Sequence, residues 1–599
     1  MIATKGSDDK QGIGYHSEEI SLLWTRNHVK VTLPRALFAG DYRRQNVTML
    51  HSRWLHAKTP VLARNGLVTA RHPLAAEVGI DVLRRGGNAL DAAAAAILAT
   101  GVVQPFATTI GGGGLLTAVR PDGRTYTLDY RSEAPAAATP ELYGAAGAIP
   151  GLLGWAGVPG RANEIGHRAV AVPGTLPGLV TAHHALGRLP WAEVLAPAIA
   201  LADVGFETDW FSTLMQGAHL DLLLGFQATA RTFLRDGRYP HRPPMDGPGD
   251  LFRQPALAAT LRELADSGLA TYLDGAAGPA LVDEMSRHGG LITAADLTGY
   301  RPRPAAPHTV AYRAHTVLGP AHGGVYGLLF AVLDQLDLAE HDPLAPTRLH
   351  LVAEAVRRCR RIEELHAGDR RPALWADHPD LIREIAGSID PQRRDDGWRD
   401  AWWAQGPTVT EVGQEQTAHV CAVDSEGMVV SLTETILAAY GSMVTTSAGM
   451  LMNNAMFAFV PVPDYPNSVA PGHRPHSNMS PVVVVDRTGR PVLVAGASGG
   501  RRISAAVVQV VAYVLDHGLY VQDAVATPRL DVVGDTVLLD DRVPNDTAAA
   551  LERRGHRVQR VEEDLSTLSF ANPAAVTLAD DGTMHAGVNP LHLTAAAGW

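Results

Sequence analysis

The sequence predicts an α+β protein, a sandwich of buried strands with helices outside. Three observations carry that reading. After Thr417 the chain turns strand-rich, with HVCAVD, MVVSLTE, PVVVVD and PVLVAG as short runs, several of them apolar on both faces. Such runs suit strands covered on two sides. Helical stretches such as ISAAVVQVVAYVLDHG and AAALERRGH are interleaved with them. The middle of the chain, about 151–380, is mainly helical by period, through PWAEVLAPAIALA, ALAATLRELADSG, PALVDEMSRHGG and TRLHLVAEAVRRCRRIEELHAG.

In chain order, residues 1–55 are mixed in polarity and read as an N-terminal extension, partly ordered around VKVTLP. PVLARNGLVTA suggests one short strand. LAAEVGIDVLRRGG is an amphipathic helix stopped by glycine. Asn88 and Asp91 open a second, alanine-rich helix. IGGGG at 110–114 lacks both GxGxxG and a Walker lysine, so it is no dinucleotide or ATP signature and reads instead as a site of close backbone packing or an unusual turn. TYTLDYRSEAP alternates as a strand and sets Arg131 at its end. Thr293 in ITAADLTGY caps a short helix. Residues 370–412 lack a period and read as a surface excursion. TVLLDD, HRVQRVEE and PAAVTLAD supply further strands near the C-terminus, and no solenoid-type repeat is present.

Composition narrows the function. The chain has 599 residues, 46% of them apolar, which supports a large core. A net charge of −11 argues against nucleic-acid and anionic-membrane partners. The arginines of VRRCRRIEE (356–364) have glutamates nearby and read as a solvated helix face. Two cysteines, Cys359 and Cys421, make neither a disulfide framework nor a CxxC site. The first residues lack an apolar signal core and the apolar runs are too short to span a bilayer, so the expectation is a cytoplasmic protein. No metal site or cofactor motif is expected.

Nine tracts then point one way. GGNALDAAAAAILATGVVQP, IGGGG (110–114), DYRSEAP (129–135), AVPGTLPGL (171–179), GDLFRQPALAATLRELADSG (249–268), GGLITAADLTGY (289–300), QTAHVCAVDSEG (416–427), HRPHSNMSP (473–481) and AGASGGRRI (495–503) resemble the γ-glutamyltransferase family, in matching order over about 56–599. The resemblance implies an αββα sandwich of the N-terminal-nucleophile hydrolase type. It also implies a precursor that cuts itself between Gln416 and Thr417, giving a large subunit (its folded part 56–416, mainly helical) and a small catalytic subunit (417–599) that remain associated.

The chemistry of such a cut can be stated on its own terms. A threonine hydroxyl is a weak nucleophile that needs a base. As the first residue, Thr417 would carry its own base, an α-amine of reference pKa about 8 that is partly neutral near pH 7. In the precursor its hydroxyl would attack the Gln416 carbonyl, and the ester left by the N-to-O shift would be hydrolysed. The resemblance implies further roles. Thr435 matches a hydrogen-bond partner of the nucleophile. Gly499 and Gly500 match an oxyanion-binding pair. Arg131 matches the arginine that grips a substrate carboxylate in two places. Ser477 and Asn478 match a pair of serines that bind the same group, with Asn478 a departure. His419 reads as structural, Cys421 as core, Asp129 as an orienter of Arg131 or a solvent-facing group. His322 and Tyr326 sit in a glycine-rich turn that is a candidate part of the pocket.

Two departures bear on substrate. The family tract LLNNQMDDF stands here as LMNNAMFAF (451–459), so Ala458 replaces the aspartate that receives a substrate amine, with Phe457 before it. Leu437 stands where an amine-contacting asparagine or glutamate is usual. An ammonium buried without those partners costs several kcal/mol. The expectation is an autoprocessing N-terminal-threonine hydrolase or acyltransferase with an altered donor pocket, acting on a carboxylate-bearing small molecule in secondary metabolism. Its alternatives are a carbon–carbon bond hydrolase on a keto-acid pyrroline carboxylate in antibiotic biosynthesis, an ordinary γ-glutamyltransferase or glutathione hydrolase, and an uncut scaffold or binding homologue.

Overall fold

In the computed structural model the described residues are 57–143, 149–150, 156–322, 324–366, 368–369, 378–395, 416–461, 463–565, 567 and 569–599, with two strands nearer the N-terminus. Contacts divide the chain between Leu55 and His56. In the first unit Glu19–Leu23 and Lys30–Pro34 pair antiparallel, Glu19 opposite Pro34.

The second unit is built on two seven-stranded sheets, each antiparallel throughout. The first runs Arg303–Ala305, Thr125–Tyr130, Gly113–Val119, Val429–Thr435, Ala418–Asp424, Gly66–Ala70, Ala595–Gly598. The second runs His308–Tyr312, His315–Gly319, Val482–Val485, Pro491–Ser498, Asn572–Leu578, Met584–Val588, Val61–Ala63. They face each other across an apolar layer of Leu67, Val119, Leu318, Cys421, Val423, Val429, Val483, Val494 and Val576. Helices Pro73–Arg84 and Ala89–Val103 cover the outer face of the first sheet, and Tyr326–Asp334, Ile503–His517 and Val521–Ala526 that of the second, with Pro346–His366 packed outside Tyr326–Asp334. The layer order is the expected αββα.

Local chemistry explains the parts that position the site. Asn88 and Asp91 form a reciprocal cap, each side chain accepting from the other's backbone N–H at 3.0 Å. The helix they start, Ala89–Val103, is buried at every residue, and its run of alanines lets it lie close on the sheet. The glycine run packs as closely as its composition suggests. A Cβ on Gly112 would fall 2.4 Å from the Thr435 carbonyl oxygen and one on Gly114 2.6 Å from that of Thr433, so these glycines seat the strand that carries both threonines. Each sheet combines strands from before and after residue 416, so the two expected subunits are one interleaved fold.

Several readings are corrected. PVLARNGLVTA is two strands in different sheets, separated by a turn at Arg64 and Asn65 whose amides both donate to the Trp599 carbonyl at 3.0 and 2.9 Å. The mainly helical middle also supplies three strands between Arg303 and Gly319. The helix carrying VRRCRRIEE is not solvated there. Arg358 and Glu354 are fully buried and paired at 2.7 Å, and Arg360 bonds Asp531 at 2.7 Å. Part of 370–412 lies outside the described residues, but Pro379–Gly387 within it is a helix. Among the described residues no helix is long and apolar enough to cross a membrane.

Candidate active site

Thr417 stands just before the strand Ala418–Asp424, next to the centre of the first sheet. Strand alternation puts His419, Cys421 and Val423 on the face toward the second sheet and Ala418, Val420 and Ala422 on the helix side. The neighbouring strand pairs His419 with Thr433 and Ala418 with Glu434. The inter-sheet face therefore grades from apolar valines at one end to threonines at the other, where the pocket opens.

The threonines are wired to the bond expected to break. The Thr417 hydroxyl donates to Thr435 Oγ1 at 3.4 Å, and Thr435 Oγ1 donates to the Gln416 carbonyl oxygen at 2.7 Å. The Leu437 N–H donates to Thr435 Oγ1 at 2.8 Å, which leaves that hydroxyl's own proton for Gln416. The Leu437 carbonyl in turn accepts from Gln416 N–H at 3.0 Å. Leu437 reaches both through a φ of +77°, a conformation that costs a non-glycine residue of order 1–3 kcal/mol. A hydroxyl thus already sits on the oxygen where negative charge would develop during attack by Thr417.

Arg71, which sequence reasoning missed, grips the same segment. It follows the strand Gly66–Ala70, is buried, and donates through Nη1 to the Thr417 carbonyl and through Nη2 to Gln416 Oε1. Burial pulls its guanidinium down to about 9. The only sequence signal was a lone arginine ending an apolar strand.

Gly499 and Gly500 follow the strand Pro491–Ser498 with φ of +123° and +59°. A Cβ on Gly499 would lie 2.8 Å from Ala571 Cα, so glycine is required for the chain to turn there. Gly500 lines a pocket with Thr417, Thr435, Arg131, Ser477, Asn478 and Leu437, about 580 Å³ of non-atom space with the solvent at its mouth included. Most sequence-derived candidates therefore converge on this lining; Gln416 and Gly499 adjoin it through Thr417 and Gly500, and Ala458 does not reach it. Ala458 is fully buried outside the lining, its carbonyl accepting from Asn467 Nδ2 at 2.8 Å, while Ala455 and Phe457 of the same turn form the wall.

Arg131 is held more tightly than a two-pronged substrate grip allows for. Its Nε and Nη2 donate to Asp129 at 3.0 and 2.8 Å, and Nη1 donates to the Pro475 carbonyl at 2.6 Å. Burial alone would raise the Asp129 carboxyl, but Arg131 and Arg474 overcome it and hold the group well below the usual carboxylate range. Asp129 is thus the orienter, and a ligand carboxylate can meet only the Nη1/Nη2 end, where Asp369 Oδ1 already stands 3.9 Å from Nη2. Ser477 Oγ accepts from the Met479 N–H at 3.2 Å. Among the described residues no aspartate or glutamate lines the pocket, whereas Arg131 and Arg501 both do.

The remaining candidates are structural in placement. His419 is buried, bonded to Thr433 Oγ1 at 2.9 Å and Cys421 Sγ at 3.2 Å, and burial pushes it down to about 3, so it stays neutral. Burial raises Cys421 to about 12. Tyr326 is buried with its hydroxyl on the Pro320 carbonyl at 3.2 Å. His322 lies outside the lining, lowered to about 4 by burial and then by Arg131. His167, Glu284 and His288 bring ligand-type atoms within 4.8 Å of one another, but none lines the pocket.

Comparison with known proteins agrees with this geometry. A family model described as gamma-glutamyltranspeptidase matches residues 75–599. An acylase ACY 1 proenzyme of Pseudomonas sp. (strain V22) is 34% identical over 559 residues, covering 90% of this chain and 93% of that protein. A glutathione hydrolase proenzyme of Bacillus subtilis (strain 168) is 30% identical over 524 residues, covering 83% and 86%. The crystal structure of cephalosporin acylase from Bacillus halodurans superposes with a TM-score of 0.80 at 24% identity, over 93% of this chain and 99% of that one, a likeness of fold.

Proposed function

The chain belongs to the gamma-glutamyltranspeptidase family and is an N-terminal-nucleophile hydrolase or transferase, and from that premise we propose that it is an acylase for amides of dicarboxylic acids that lack a γ-glutamyl amine. The observation that carries this is the pocket wall. Beside Thr417 stand Leu437, Ala455 and Phe457, two arginines and, among the described residues, no carboxylate in the lining. A free ammonium on the acyl group would be desolvated there without a partner, whereas a distal carboxylate meets Arg131.

The reaction follows from the groups present. Cleavage before Thr417 frees its α-amine, supported by the Thr435 hydroxyl already resting on the Gln416 carbonyl. In the mature enzyme the neutral amine takes the Thr417 hydroxyl proton as the oxygen attacks the donor carbonyl. The tetrahedral oxygen faces the Gly499–Gly500 turn. Collapse expels the product amine, which takes up that proton, and leaves an acyl ester on Thr417. Water then releases the dicarboxylic acid, or a second amine receives the acyl group.

Purified protein offered glutaryl p-nitroanilide, γ-glutamyl p-nitroanilide and a 4-substituted pyrroline carboxylate tests this directly. The expected ratio of kcat/KM for glutaryl over γ-glutamyl donor is at least about 100, the scale of one unpaired buried charge. A ratio below one sinks the acylase reading. Turnover confined to the pyrroline carboxylate, with loss of an oxalyl-type unit, would replace it with carbon–carbon bond hydrolysis.

A further inference from the structure

Arg71 is a buried cation with no carboxylate ion-paired to it among the described residues. Its hydrogen bonds go to the Thr417 carbonyl and to Gln416 Oε1, one on each side of the bond expected to break. Its other neighbours do not neutralise it. The Phe106 ring lies 5.9 Å from its guanidinium carbon. His592 is also close, held neutral at about 3 by burial and then by Arg71, Lys58 and Arg529. A buried charge of this kind costs several kcal/mol unless something nearby uses it. A residue needed only to satisfy two carbonyl oxygens could be a neutral donor.

We propose that Arg71 is the positioning residue of the N-terminal nucleophile: it clamps Gln416 and Thr417 across the bond to be cut, and its charge then stays beside the amine that cutting releases. Before the cut, the two arms fix the rotation of the scissile peptide, so the Thr435 hydroxyl stays on the Gln416 carbonyl. After the cut, the Nη1 arm still holds the Thr417 carbonyl. A cation that near an α-amine favours the neutral form, the form that acts as base. The inference rests on cleavage between Gln416 and Thr417, as proposed above.

Three variants of the full chain test it: Arg71→Gln, Arg71→Lys and Gln416→Ala. Conversion of precursor to two chains is followed by mass spectrometry. For cut protein, acylation by p-nitrophenyl acetate is measured against pH, with Thr417→Ala as blank, because this small ester needs no fitted pocket. Arg71→Gln should cut at least about 10-fold more slowly, and its acid limb should move up by about one pH unit, since removing a positive charge raises the amine pKa. Arg71→Lys should keep the wild-type limb. Gln416→Ala should slow cutting yet leave the mature pH profile unchanged, because its side chain belongs to the leaving segment. Arg71→Gln that cuts at the wild-type rate with an unshifted limb overturns the inference. Should Arg71→Gln fail to fold, a shifted limb in Arg71→Lys or unslowed cutting in Gln416→Ala does the same. Wild-type protein that is not cut before Thr417 removes the premise as well, an outcome the small subunit's N-terminal sequence distinguishes from failure of the Arg71 role alone.

Discussion

The pocket has two walls that are built differently. On the nucleophile wall, Thr417, Thr435, the Leu437 N–H and the Gly499–Gly500 turn are fixed by the sheet, and the hydrogen bonds run through backbone groups and hydroxyls. On the donor wall, Leu437, Ala455, Phe457, Pro475 and Met479 come from loops and a single 3₁₀ turn, and what they present is side chain. Leu437 belongs to both, its backbone to the first and its side chain to the second. A wall made of backbone changes little when residues are exchanged, and a wall made of side chains changes with every exchange. Reaction type and donor choice are therefore separable here.

The hardest break comes on the first wall. Thr417→Ala should give a single uncut chain on a denaturing gel and lower turnover by at least about 10⁴-fold, because nucleophile and base disappear together. Thr435→Val, which keeps the shape and removes the donor to Gln416, should slow cutting by about 10²–10³-fold, the usual cost of one oxyanion donor. Thr435→Ser should restore most of it. Band ratios over time, checked by mass, read both.

How much of this was legible in the sequence differs by element. Helix Ala89–Val103 was readable because Asn88 and Asp91 announce its start within four residues. The central strands were readable because each is an apolar run between turns. The break between Val61–Ala63 and Gly66–Ala70 was not, since the turn is fixed by the Trp599 carbonyl, more than 500 residues away. The Arg303–Gly319 strands were lost among helices because the ladder that fixes their register is with Thr125–Tyr130 and Val482–Val485. Arg358 had its Glu354 partner visible one turn back, but nothing local said the pair is buried. At the site, Thr417, Thr435, Arg131 and the glycine pair were found through tract resemblance. Arg71 was not, because its partners lie more than 340 residues on.

The donor wall should answer to smaller changes. Arg131→Ala should cut kcat/KM for a glutaryl donor by about 30–150-fold, the worth of a charge-assisted hydrogen bond of 2–3 kcal/mol, while precursor cutting proceeds as in wild type. That split between cutting and turnover is what the two-wall comparison requires. Phe457→Asp and Ala458→Asp then separate lining from sequence position. Phe457 faces the pocket, so an aspartate there can receive a substrate amine and should move the γ-glutamyl to glutaryl ratio up by about 10-fold. Ala458 is fully buried away from it, so Ala458→Asp should lower the melting temperature without moving the ratio. Kinetics with both donors, beside a thermal melt, decide it.

The smallest effect is expected one residue from Thr435, on the reverse face of the same strand. Glu434 is buried and accepts from Thr108 and Thr175 at 2.9 Å and from the Tyr130 hydroxyl at 3.3 Å. Burial raises it to about 7, against the lowering influence of those three donors. An acid raised on folding binds more protons folded than unfolded, so its stabilising share is whole below the unfolded value, near 4.5, and is lost as pH climbs through about 7. Glu563, also raised to about 7, declines in the same window. Buried histidines such as His419 and His322, lowered to about 3 and 4, act oppositely there and cost stability as pH falls. Wild-type stability against pH is thus a sum of opposed slopes and reveals little. The difference between Glu434→Gln and wild type cancels all but one of them. That difference in melting temperature should move toward the variant as pH rises from 5 to about 7, while kcat/KM stays within about 2-fold, because Glu434 faces the helices rather than the pocket. A flat difference would mean that Glu434 is ionised throughout, and a large fall in turnover would mean that the two faces of this strand are not independent.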